Sequence, residues 1–143
     1  MNWKAEAIDH LNCYDAMVKS LENIPQELHR LEQQAVAIRA ADPGKTFVSA
    51  TPSQGDDKLI SNLVKRQALQ HAYENAQSWV ATADNALSVL TPEEKHILLV
   101  MYIRPAKGAA QILCQDLCME QSSVYRKRDT ALYRFTMAMF GAA

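Results

Sequence analysis

The stretch Leu117-Cys118-Met119-Glu120-Gln121-Ser122-Ser123-Val124-Tyr125-Arg126-Lys127-Arg128-Asp129-Thr130-Ala131-Leu132 decides how this chain is read. Val124, Ala131 and Leu132 lie seven and eight residues apart, so one face of a helix can pack inward. The outer positions begin with Gln121, Ser122 and Ser123, pass through Tyr125 and continue into Arg126, Lys127 and Arg128. Short hydrogen-bonding groups followed by cations suit a helix whose first turn enters the DNA major groove while later cations meet phosphates. The plain alternative for the three cations is a solvated basic face. Such a face more often mixes Glu with Lys, and here Asp129 is the only acid beside them.

The residues upstream extend this reading. Leu113 and Leu117 are four apart and predict a short supporting helix over residues 109–117, with a turn at Cys118-Met119-Glu120 that buries Met119. Leu117 and Val124 are seven apart across that turn, which lets two short helices share one small core. Thr91-Pro92-Glu93-Glu94 is a capping box with proline at the first helical position, and both glutamates are read as part of the cap. Ile97, Leu98, Met101 and Tyr102 continue one face, and Pro105 and Gly108 bracket the next loop. Three helices are expected after residue 90, the third polar and basic outside, with Tyr133 packed beneath it.

Residues 90–140 resemble region 4 of the sigma-70 factors and, more closely, phage late-gene transcription regulators of the RinA/ArpU type. The resemblance rests on Leu90-Thr91-Pro92-Glu93-Glu94, Ile97-Leu98, Tyr102, Leu113-Cys114-Gln115-Asp116-Leu117, Ser123-Val124-Tyr125-Arg126 and Ala131-Leu132. The first two thirds match those regulators only in layout, with long helices first and the sigma-like domain last. The resemblance implies sequence-specific binding of double-stranded DNA, regulation of transcription, and base contacts from Gln121, Ser122, Tyr125 and Arg126. It also makes RNA polymerase a candidate partner. Glu120 stands where the family carries Ser or Thr; a carboxylate there can accept from the first free N–H groups of the helix.

The first ninety residues carry two long apolar seams. Leu11, Tyr14, Val18, Leu21, Ile24, Leu28, Leu31, Ala35 and Ile38 step by three and four, with two consecutive threes ending at Leu21 and Ile24. Pro25 predicts a kink or break there, with Asn23 as a new cap. Asp42-Pro43-Gly44 is a helix stop, and residues 45–55 read as a turn-rich loop. A second seam, beginning from a cap at Asp56 or Asp57, runs through Leu59, Leu63, Leu69, Tyr73, Ala76, Val80, Ala83, Leu87 and Leu90, interrupted by Arg66. Both seams reach roughly 40–45 Å at helical rise. The expected fold is therefore all-α. A long helical hairpin over residues 1–90, for dimerisation or interaction, precedes a three-helix helix-turn-helix domain over residues 91–143. A homodimer suits such a layout, because a pseudo-palindromic site rewards two recognition helices.

Charge follows the same division. Residues 1–90 hold 8 Lys and Arg against 11 Asp and Glu, a net of −3, whereas residues 91–143 hold 7 against 5, a net of +2. Overall the 143 residues carry −1, with 48% hydrophobic and 22% charged residues, which argues against general disorder. Three cysteines without a secretory signal do not make a disulfide framework, and no stretch approaches the length of a membrane span. The expectation is a cytoplasmic protein of a bacterial host cell.

No enzyme motif emerges. Asp42-Pro43-Gly44-Lys45-Thr46 lacks the first glycine and preceding strand of a phosphate-binding loop. Cys13, Cys114 and Cys118 lack the spacing of a structural zinc site and are read as small buried thiols, and His10, His29, His71 and His96 are scattered. No catalytic residue, metal ligand or cofactor is assigned. The candidate DNA-contacting set is Gln121, Ser122, Ser123, Tyr125, Arg126, Lys127 and Arg128. The competing reading is a non-enzymatic helical module that docks RNA polymerase or a phage packaging component without reading DNA.

Overall fold

The computed structural model describes residues 1–41 and 54–143, and every described element is helical. Five α-helices follow in order: α1 (Trp3–Ala40), α2 (Gln54–Leu87), α3 (Pro92–Leu98), α4 (Ala109–Leu117) and α5 (Gln121–Phe140). A π-helical segment, Leu99–Ile103, continues directly from α3. The helix stop at Asp42-Pro43-Gly44 and the loop reading of residues 45–53 lie outside the described residues. No described helix is long and apolar enough to cross a membrane.

Helix α1 is preceded by Asn2, whose side-chain oxygen accepts from the Ala5 N–H at 3.1 Å and so answers one of the free donors of the first turn. It then runs unbroken through Pro25, contrary to the expected break, and Asn23 caps nothing new. A proline inside a helix forfeits one backbone hydrogen bond and costs about 3 kcal/mol. Here the seam is buried or half-buried on both sides of it, from Leu21 and Ile24 to Leu28 and Leu31, and the proline itself faces outward. Helix α2 starts earlier than expected, so Asp56 and Asp57 fall inside its first turn instead of capping it. There they still complement the positive end of the helix.

The chain forms two compact units, and they do not divide at residue 90. One comprises residues 1–18 and 78–143, the other residues 19–77. In the first, Ala7 and Leu11 of α1, Ala86 near the end of α2 and Leu90 just after it are buried with Leu98, Ile103, Ala131, Leu132 and Phe135 in one core. Two polar ties reinforce it. The Tyr14 hydroxyl donates to Asp84 at 2.5 Å, and Arg104 meets Asp15 at 2.7 Å. Trp3 packs against Phe140 with ring centroids 5.0 Å apart, and His10 stacks on Trp79 at 4.9 Å.

In the second unit the α2 seam takes a different course from the one its leucines suggest. Asn62 is buried and Leu63 is 46% exposed. The Asn62 amide donates to the Leu31 carbonyl at 2.8 Å and to Gln34 at 3.2 Å, and its oxygen accepts from Arg66 at 2.8 Å. Stepping from Leu59 to Asn62, Arg66 and Leu69 preserves helical spacing. The polar pair is thus part of the seam, not an interruption of it. Leu63 rotates outward beside Ile60 and Val64, which are more than half exposed.

Candidate nucleic-acid interface

The site is built on the smaller of two cores in the first unit. Ile97 of α3, Leu113 of α4 and Val124 of α5 are fully buried together, with Leu117 and Met119 packed against them. This fixes the first half of α5 against α3 and α4, as the Leu117–Val124 spacing predicts. Thr91 caps α3 in the way its sequence signature requires. Its hydroxyl accepts from the Glu94 N–H at 3.2 Å, while Glu94 accepts from the Thr91 N–H at 3.1 Å. The connection into α4 turns at Gly108, φ +72°, a left-handed conformation that glycine adopts without penalty. The turn out of α4 uses Cys118 at φ +53°, where a side chain is strained. Its N–H bonds the Cys114 carbonyl and closes the helix.

Helix α5 starts from Glu120, which is extended at φ −71°, ψ 156° and makes no side-chain cap. The expectation that its carboxylate answers the first N–H groups is therefore corrected. Those donors stay open at the end of the helix where Gln121 and Ser122 stand exposed. Ser123 is half-buried and lies with Arg126, Lys127 and Thr130 along a cleft whose other wall is Thr91, Pro92 and Glu93. Tyr125 and Arg128 point to the opposite side, toward Met101, Tyr102 and the small residues Gly108, Ala109 and Ala110. Gln121 donates to the Tyr125 hydroxyl at 3.4 Å. The seven candidate residues thus form a front, Gln121 and Ser122, with two flanks.

The cations differ more than their adjacency suggests. Arg126 is exposed and has no ion-pair partner among the described residues. Lys127 is held by the Glu93 carboxylate. Arg128 lies over the Tyr125 ring, 4.9 Å from its centroid, and bonds Asp129 at 2.9 and 3.1 Å. Of these three cations, Arg126 alone has no ionic partner among the described residues. Nearby, burial pushes the Tyr102 hydroxyl above its ordinary range, with Arg128 pulling the other way.

Several side chains take roles the sequence did not disclose. Glu93 was expected to belong to the cap, but Glu94 alone completes it, and Glu93 is left to pair with Lys127. Arg134 pairs with buried Glu94 and also donates to the Val89 carbonyl at 2.7 Å. Tyr133, expected beneath α5, is 59% exposed, because Phe135 and Leu132 take the inward positions. Cys13 and Cys118 are exposed and so do not fill tight helix contacts as expected, whereas half-buried Cys114 packs against the core of Ile97, Leu113 and Val124. His96 meets Asp116 at 2.9 Å and links α3 to α4. Only contact across 20 to 45 residues reveals these pairs; no spacing rule in the sequence points to them.

The chain matches no protein-family model, and neither the curated proteins nor the solved structures contain a significant match to it.

Proposed function

We propose that this protein is a sequence-specific DNA-binding transcription regulator of phage or prophage origin. In this reading α4 and α5 form a helix-turn-helix, and α5 presents its first turn to the major groove. The α1 and α2 segments form a hairpin for self-association or docking. The observation that carries it is the exposed start of α5, without a side-chain cap, with Gln121, Ser122 and Arg126, which has no ion-pair partner among the described residues, held on a core of Ile97, Leu113 and Val124. Phage origin and action on transcription rest on the sequence resemblance of residues 90–140.

Gln pairs with adenine and Arg with guanine in the major groove, which assigns direct readout to Gln121 and Arg126. Ser122 and Ser123 suit phosphate or base-edge hydrogen bonds, and Tyr125 and Arg128 flank the same helix end. A gel-shift selection from random duplex pools, with competitor DNA, tests the reading. The full chain should enrich a defined site, and Arg126→Ala should lose about 1–3 kcal/mol and relax one base preference. Sequence-blind binding, or none, would count against it.

The second reading, a module that docks RNA polymerase or a phage packaging component, draws support from one specific observation. Tyr133 and Met137, four residues apart on α5, are 59% and 39% exposed, and Val89 is 49% exposed. Self-association draws support from Ile60, Leu63 and Val64, which share an exposed face of α2. Sedimentation of the full chain, with and without Leu63→Glu, separates monomer from dimer.

A further inference from the structure

We infer that Glu93 holds Lys127 out of the set of cations that contact DNA phosphates, so that it sets how strongly this protein binds duplexes of any sequence. This rests on the DNA-binding reading and adds a residue to it. Arg126, Lys127 and Arg128 are consecutive in sequence, yet they are not equivalent in space. Lys127 is turned toward the first turn of α3, where the Glu93 carboxylate meets its ammonium. Both groups are partly exposed, the Lys127 side chain at 42% and Glu93 at 50%, at the edge of the cleft that Ser123, Arg126 and Thr130 also line.

The cap of α3 needs nothing from Glu93. Thr91 and Glu94 satisfy each other, and Arg134 neutralises Glu94 from α5. Glu93 is thus an acid that the cap does not use, and its carboxylate is left to hold Lys127 of α5. A lysine paired with a carboxylate releases no counterion when the protein meets DNA, so it does not add to the salt dependence of binding. Binding without sequence preference is driven mainly by such counterion release. Removing one cation from that set lowers non-specific affinity more than it lowers readout by Arg126.

The test measures duplex affinity of the full chain against salt concentration for four proteins: wild type, Glu93→Gln, Lys127→Ala and the double variant. Glu93→Gln should bind about threefold to fivefold tighter, and its salt slope should steepen by about 0.9. Between 50 and 200 mM salt, its loss of affinity should exceed that of wild type by about 3.5-fold. Lys127→Ala should leave the wild-type slope nearly unchanged, and Glu93→Gln should no longer steepen it in the Lys127→Ala background. A Lys127→Ala slope shallower by about 0.9 would overturn the inference, because Lys127 would already be on phosphate. So would an equal gain from Glu93→Gln with and without Lys127, which reports repulsion through space. If wild type binds no duplex at low salt, the DNA-binding reading fails first, and the role of Glu93 fails with it. Circular dichroism of each variant checks that α3 is retained.

Discussion

The two compact units bury their seams in different ways. In residues 1–18 and 78–143, Phe135, Leu11, Ile97, Leu98, Leu113, Leu132 and Val124 are almost fully buried. In the described part of residues 19–77, Leu31 alone among the large apolar side chains reaches that state. Both units take part of the same two long helices with the same three-four spacing. The difference is the number of segments around each side chain. The first unit surrounds its core with α1, the end of α2, α3, the π-helical segment and α5. The second has only parts of α1 and α2. It compensates with a hydrogen-bonded Asn62 that ties α2 to the Leu31 carbonyl of α1. A buried polar residue in such a seam fixes register at some cost in stability.

The largest test of this contrast is Phe135→Ala. Truncating a fully buried aromatic side chain should cost about 3–5 kcal/mol, read as a lower denaturant midpoint. A loss below about 1 kcal/mol would mean that the first unit is not organised around this core. Asn62→Ala should cost about 1–3 kcal/mol, since it removes the partner of Arg66 and of Gln34 from a half-dry seam. Amide exchange should localise that loss to residues 19–41 and 56–77 and leave Leu113 and Val124 protected. Exchange rising equally in both units would mean that they unfold as one.

A smaller effect concerns pH. The Tyr14 hydroxyl is pushed up to about 12, first by its hydrogen bond to Asp84 and then by burial and the Asp84 charge. Folding therefore favours the protonated form. This contribution is complete below the unfolded value near 10 and is lost as pH rises through about 12. Tyr14→Phe should remove that loss from an alkaline stability titration; an unchanged alkaline limb would assign it elsewhere. The smallest effect is expected at Cys118. Its left-handed backbone costs about 1–2 kcal/mol for a side chain, while glycine adds unfolded-state entropy of about 1 kcal/mol. Cys118→Gly should therefore raise stability by at most about 1 kcal/mol, and a clear loss would place the thiol in an unrecognised packing role.

Much of this architecture was legible in the chain. The Thr91-Pro92-Glu93-Glu94 box marks a helix start because its hydrogen bonds are local, and the three-four spacing marks buried faces because the helical repeat is fixed. Legibility ended where partners come from afar. The seam at Leu63 was misplaced because a leucine and an asparagine sit side by side. A pattern reading favours the apolar one, whereas the helix phase buries Asn62. The break at Pro25 was overestimated because a local cost was weighed without the packing that outweighs it. The boundary at residue 90 followed charge and capping, while the first core draws Ala7 and Leu11 from α1.

The sequence by itself determined the helical class, the start of α3, the inward positions Val124, Ala131 and Leu132, and the run of cations on α5. These follow from backbone hydrogen bonding and periodicity, which act within a few residues. Tertiary structure alone decided that residues 1–18 belong to the same compact unit as α5, that Glu94 pairs with Arg134, and that Lys127 is ion-paired while Arg126 has no such partner among the described residues. Those outcomes depend on which side chains meet across dozens of residues. Three adjacent charges with identical local context acquire three different surroundings, because successive residues on a helix point about 100° apart.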